Sequence, residues 1–140
     1  MIADVPKYFI AKLNALGLTE WSDGFGLDNV PSTVLDNCYQ WSLGTTFQEN
    51  KSQAEITLIV PFNLVVRLKA YREVKDKMYD GMDTAESIIA SLVNIEDQIQ
   101  FGIKGVVLNS FDLRPFQDDT NDNVVELAFT YEARIHVCID

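Results

Sequence analysis

The sequence predicts an α+β fold: a mixed, mainly antiparallel β-sheet with long hairpins and helices packed on one face, in the order helix, strand, strand, helix, strand, strand. Three observations predict it. Every even position from Ile56 to Ala70 is apolar, while the odd positions include Thr57, Asn63, Arg67 and Lys69. Every odd position from Val125 to Ile139 is apolar, with Glu126, Thr130, Glu132, Arg134 and His136 between them. A period of two marks a strand with one buried face. Two other stretches, near residues 4–16 and 83–93, place their apolar residues at helical spacing instead. At about 3.3 Å per residue, each alternating run reaches roughly 50 Å, far beyond the usual strand of about 5–6 residues. Strands that overrun a small core tend to act outside it.

Taken in order, the first element is a helix. Asp4 is placed to cap it, Pro6 suits its first turn, Val5, Phe9, Leu13 and Leu16 share a face, and Gly17 ends it. Residues 18–36 carry Gly24, Gly26, Asp28, Asn29 and Pro31 without a sustained period, so a long irregular connection is expected. From Tyr39 the odd positions Tyr39, Trp41, Leu43 and Phe47 give a first strand with one aromatic face. The polar stretch Gly44 to Glu55 then reads as a hairpin with a projecting tip. Pro61 lacks the N–H that a ladder needs, so the second strand is expected to lie at an edge there or to bend into two pieces. The period changes after Tyr71, a turn is expected at Gly81, and Asp83 with Glu86 resembles a capping box for a second helix with the stripe Ala85, Ile88, Ile89 and Leu92. Residues 103–116 form the third strand, with Ile103, Val107, Phe111 and Leu113 in phase. The turn-formers 117–123 lead into the last strand.

A chain of 140 residues with 47% hydrophobic and 23% charged content is expected to be a single domain over residues 1–140, large enough for one core. No apolar run has the length needed to span a bilayer, and the start of the chain lacks the basic-then-apolar pattern of a secretory signal, so cytoplasmic origin and no membrane partner are expected. Cys38 and Cys138 read as two buried free thiols. The formal net charge of −10 argues against a surface that grips nucleic acid, because such grip comes from neutralising phosphates; an acidic wall suits DNA that must slide past.

The search for chemistry returns little. His136 is the single histidine and no Cys-x-x-Cys pair occurs, which removes a multi-histidine centre within one chain and the usual zinc spacing. His136 lies on the non-apolar face of the last strand, where a solvent or interface role outweighs general-base catalysis. Neither a nucleophile elbow nor a phosphate-binding glycine loop is present. Asp118, Asp119 and Asp122 could offer oxygen ligands to a hard cation, but they lack the calcium-loop pattern and sit in a β-turn, so a solvated turn is the better reading. No catalytic residue, cofactor or metal is expected. Arg67, Lys69, Arg72, Lys75 and Lys77 lie within eleven positions, whereas residues 78–103 hold no base and five acids. That separation suits contact between unlike faces of two copies, although a solvated face balanced locally by Glu73, Asp76 and Asp80 is the better reading.

In element order, size and acidic balance the chain resembles the tail terminator and tail-completion (head-tail joining) proteins of long-tailed phages. The resemblance runs through the N-terminal helix (2–16), the loop at Val30-Pro31, the long hairpin (38–70), the helix (83–93) and the closing hairpin (104–139). It implies a virion protein assembled in the host cytoplasm, forming a homo-oligomeric, hexameric ring at the head-proximal end of the tail. Its partners would be the tail tube protein and a head-completion or neck protein, with DNA passing through the lumen without specific binding. A structural ring of this kind needs no catalytic residue or cofactor. The segments favoured for contacts are Phe47 and Gln48, the basic stretch containing Arg67, Lys69 and Arg72, and the acidic turn at Asp118 and Asp119. A head-completion or connector subunit and a small-ligand binding module are the competing readings, and an enzyme with a spatially assembled acid/base pair is a third.

Overall fold

The computed structural model describes residues 2–20, 37–51, 55–70, 74–93, 95–117 and 123–138. Over these residues the chain forms α1 (Asp4–Ala15), β1 (Thr19–Glu20), β2 (Cys38–Leu43), β3 (Phe47–Lys51), β4 (Glu55–Ala70), α2 (Val74–Ser91), α3 (Ile95–Gln100), β5 (Ile103–Gln117) and β6 (Asn123–Cys138). The fold is α+β, with a mixed and mostly antiparallel sheet. Its strand order is β1-β2-β4-β6-β5, and β3 pairs with the same edge of β4 that β2 uses. Only β1 and β2 run parallel.

Both alternating runs become central strands. β4 and β6 pair in an unbroken antiparallel register from Glu55↔Cys138 to Ala70↔Asn123, so the even positions of one meet the odd positions of the other on one face. Val60, Phe62, Leu64, Val66 and Leu68 are buried there beside Val125, Leu127, Phe129, Tyr131, Ala133 and Ile135. Two helices close that face. Phe9 of α1 stacks on Phe62 at 3.9 Å between ring centroids and tilts against Tyr131 at 5.3 Å. From α2, Ala85, Ile88 and Leu92 are buried, with Met78 packed alongside. Burying each such side chain contributes roughly 1.5–3 kcal/mol, and they form one connected cluster.

Several boundaries depart from the sequence reading, each for a local reason. α1 begins at Asp4 itself, with Ala3 at the cap position and no side-chain capping bond, so Asp4 complements the positive helix end from the first turn. Its other end follows expectation. Gly17 has φ +85°, its N–H reaches the Asn14 carbonyl and that of Leu18 reaches Leu13, the paired bonds of a Schellman ending. α2 starts at Val74 rather than Asp83, so Asp83 lies mid-helix and its carbonyl accepts a bond from Ser87. Gly81 is not a turn but a buried point of approach: a Cβ there would come within 3.1 Å of Leu113, 3.2 Å of Val125 and 3.3 Å of Leu127. The glycine lets α2 lie close to β5 and β6.

The expected first strand divides in two at Gly44, Thr45 and Thr46. Tyr39, Trp41 and Leu43 face the helices opposite Val66, Leu64 and Phe62, but Phe47 stands opposite Ile59 on the other face. Pro61 neither marks an edge nor breaks β4. Its carbonyl accepts the Gly44 N–H, so its missing donor points at the gap between β2 and β3, where no partner strand needs it. A Cβ on Gly44 would meet the proline Cβ at 2.9 Å. In β5, register shifts after Ile103 and after Leu108 overturn the expected phase: Val107 pairs with Glu132 and faces away from the helices, while Val106 and Leu108 pack on the core. The turn at 118–122 and most of the 18–36 connection lie outside the described residues, as does the 52–54 part of the hairpin tip.

Candidate functional site

The sheet leaves two edges open among the described residues. On one side, β5 pairs only with β6, from Ile103 to Gln117 with two register shifts. On the other, β1 covers β2 at Cys38 and Tyr39, leaving the rest of β2 and all of β3 as the margin. Unpaired strand edges template further pairing unless charge, proline or a bulge blunts them. In β5 the half towards Gln117 carries Asp112, Arg114 and Pro115 after a register shift. The half towards Ile103 carries Val106, Val107 and Leu108, with Val107 48% exposed. At the opposite margin Phe47 is 47% exposed. The ladder pairs Phe47↔Ile59, Ile59↔Arg134 and Arg134↔Gly105 set both open stretches at the same level of the sheet.

A cleft of about 380 Å³ lies at this level, lined by Val93, Ile95 and Gln98 from the α2–α3 corner, by Lys104 to Val107 of β5, and by Glu49, Thr57 and Arg134. The corner is held from below. The Leu92 carbonyl accepts both the Tyr8 hydroxyl and the Gln98 side-chain amide, each at 2.7 Å, which satisfies the end of α2 and ties α1, α2 and α3 together. Burial is the main reason the Tyr8 hydroxyl is pushed above its ordinary pKa; Asp97 adds to that and the Gln98 bond opposes it, so the group remains a donor. Lys12 pairs with Asp97 across the same junction. With Leu92 and Gln98 anchored inward, Val93, Ile95 and Ile99 project at 63%, 68% and 66% exposure. Across the sheet Arg134 meets Glu49 at 3.2 Å.

The residues expected to make contacts separate into distinct settings. Phe47 and Gln48 are both exposed on the marginal strand β3, Phe47 away from the helices and Gln48, opposite Leu58, on their side. Arg67 is engaged within the subunit: its guanidinium reaches Glu126 at 3.1 Å, and the two side chains are only 12% and 8% exposed. Glu126 also accepts from Arg114 at 2.8 Å, so one carboxylate bridges β4, β6 and β5. That carboxylate raises the Arg114 pKa, through the hydrogen bond first and then its charge. Lys69 pairs through its backbone with Val124, and its side chain lies outside the described residues, as do Arg72, Asp118 and Asp119 entirely.

Cys38 is buried, opposite Arg67. His136 is half-buried opposite Thr57 rather than solvent-facing. Sequence reasoning missed Val93, Ile95 and Ile99, because neither α3 nor the short break between Ser91 and Ile95 has a periodic signature long enough to read. It placed Val107 on the wrong face for want of a signal for the bulge at Lys104. Among the described residues no three His, Cys, Asp or Glu side chains converge as a metal site, and no helix is long and apolar enough to cross a membrane. No protein-family model matches the chain, and no curated protein matches it either.

Proposed function

We propose that the chain is a structural virion subunit that assembles head to tail into a ring, in the manner of a phage tail terminator that stops tube growth and joins tail to head. One observation carries this reading: a sheet with strands of 15 and 16 residues exposes large apolar side chains, Val107 and Phe47, on its two opposite margins at one level. Unlike margins of this kind associate heterologously, and heterologous contacts close into rings when the rotation permits. The formal net charge of −10 supports the same role, since an acidic wall does not hold DNA in transit. The subunit then works by shape and contact, with the tail tube protein on one ring face and a head-completion or neck protein on the other. The test is direct. Mixed with preformed tail tubes and imaged by negative stain, the protein is expected to cap one end of each tube and halt further growth; tubes that keep elongating in its presence would refute the assignment.

A further inference from the structure

We infer that β3 of one copy adds as a strand to the open edge of β5 in the next, setting Phe47 beside Val107 on the face away from the helices. The inference rests on the self-assembly reading above and names the surfaces that perform it.

Strand direction fits first. β3 and β6 each run antiparallel to β4, and β5 runs antiparallel to β6. β3 and β6 therefore share one direction and β4 and β5 the other, so β5 of one copy meets β3 of the next antiparallel, the ladder with the better hydrogen-bond geometry.

The open stretches also match in position. The half of β5 towards Gln117 is blunted by Asp112, Arg114 and Pro115, and the corresponding part of the opposite margin is covered by β1. Among the described residues, what stays available on both sides is the level of Phe47 and Gly105. Setting Phe47 opposite Val107 puts both on the face away from the helices, and Gln48 opposite Val106 puts both on the helix side, so the alternation is kept across the junction. Each strand carries one extra residue at that level: Glu49 falls at the shift between Gln48 and Asn50, and Lys104 at the shift between Ile103 and Gly105. These residues are opposite in charge, both are exposed, and the register sets Glu49 opposite Gly105, the residue next to Lys104.

Val107, 48% exposed on the lining of the cleft, supplies the apolar contact for Phe47. On the helix side Val106, which lines the same cleft, takes Gln48.

The test uses two variants, Phe47→Cys and Val107→Cys, at exposed positions whose change leaves the core intact. Directly opposite residues of an antiparallel pair lie about 4.5–5.5 Å apart at Cα, within disulfide reach. Mild oxidation of an equimolar mixture is expected to give a covalent dimer joined through those two peptides, identified by mass spectrometry, while either variant alone gives none through that position. A chain carrying both changes is expected to give a covalent ladder that stops at the ring size. Self-linkage of Val107→Cys, which marks a symmetric β5–β5 contact, would overturn the inference. So would an assembled protein that forms no Phe47→Cys to Val107→Cys link, leaving the ring reading intact. A protein that never assembles, alone or on tail tubes, would overturn both.

Discussion

Glu126 occupies a position that alternation marks as outward-facing, yet it is buried between Arg67 and Arg114. A buried carboxylate is tolerated when cations satisfy it, and removing its charge costs the more buried of them an ion pair. Glu126→Gln is expected to lower stability by about 3 kcal/mol in chemical denaturation, whereas Glu126→Leu combined with Arg67→Met recovers most of the loss. A Gln variant as stable as the parent would show that the bridge contributes nothing. The tyrosines act through the opposite imbalance. Burial is the first cause raising the hydroxyl pKa of Tyr8, Tyr39 and Tyr131 above the ordinary 10.0, with the charges of Asp97 and Glu20 adding for the first two. A raised pKa favours the neutral form on folding. Its contribution is complete below the unfolded-state value and is lost as pH climbs past it. The denaturant midpoint is therefore expected to hold to about pH 10 and fall above it; a midpoint that rose there would contradict the assignment. None of this was legible in the sequence, because period-two alternation records which face a residue takes and not what lies across from it.

At the scale of elements, what the sequence revealed depended on how local each determinant is. β4 and β6 were legible because alternation over sixteen residues is a local property, and the end of α1 because Gly17 answers a local demand for positive φ. α2 was misjudged in its first half, where Gly81 looks like punctuation but serves a contact with strands more than thirty residues away. That contact has a measurable consequence. Alanine is favoured over glycine inside a helix by about 1 kcal/mol, but here three side chains from two strands stand within 3.3 Å of the new methyl. Gly81→Ala is expected to destabilise the protein by about 1 kcal/mol net, and a gain in melting temperature would show that α2 can lift without cost. The break between β2 and β3 was likewise hidden. Gly44 and Pro61 are seventeen positions apart and their meaning appears only when β2 lies beside β4.

For the whole molecule, the long strands were legible in the sequence, and the candidate surface was half legible. Phe47 and Gln48 stood out in the sequence, while the cleft opposite them, made by Val93, Ile95 and Val107, did not, since it depends on a short helix and a bulge. Charge separation pointed to Arg67, whose partner turned out to be in the same subunit. If the two margins join copies, Phe47→Asp is expected to leave the folded subunit unchanged by circular dichroism and to abolish assembly, because a charge in an apolar seat carries a desolvation cost with no gain in contact. Assembly that persists in the variant would move the interface elsewhere. The mass of the purified protein in native mass spectrometry tests the central claim most directly. A closed hexamer, a fixed multiple of the 15.8 kDa subunit, is expected alone or on addition of tail tubes, while a monomer under both conditions or an open-ended series of oligomers would contradict it.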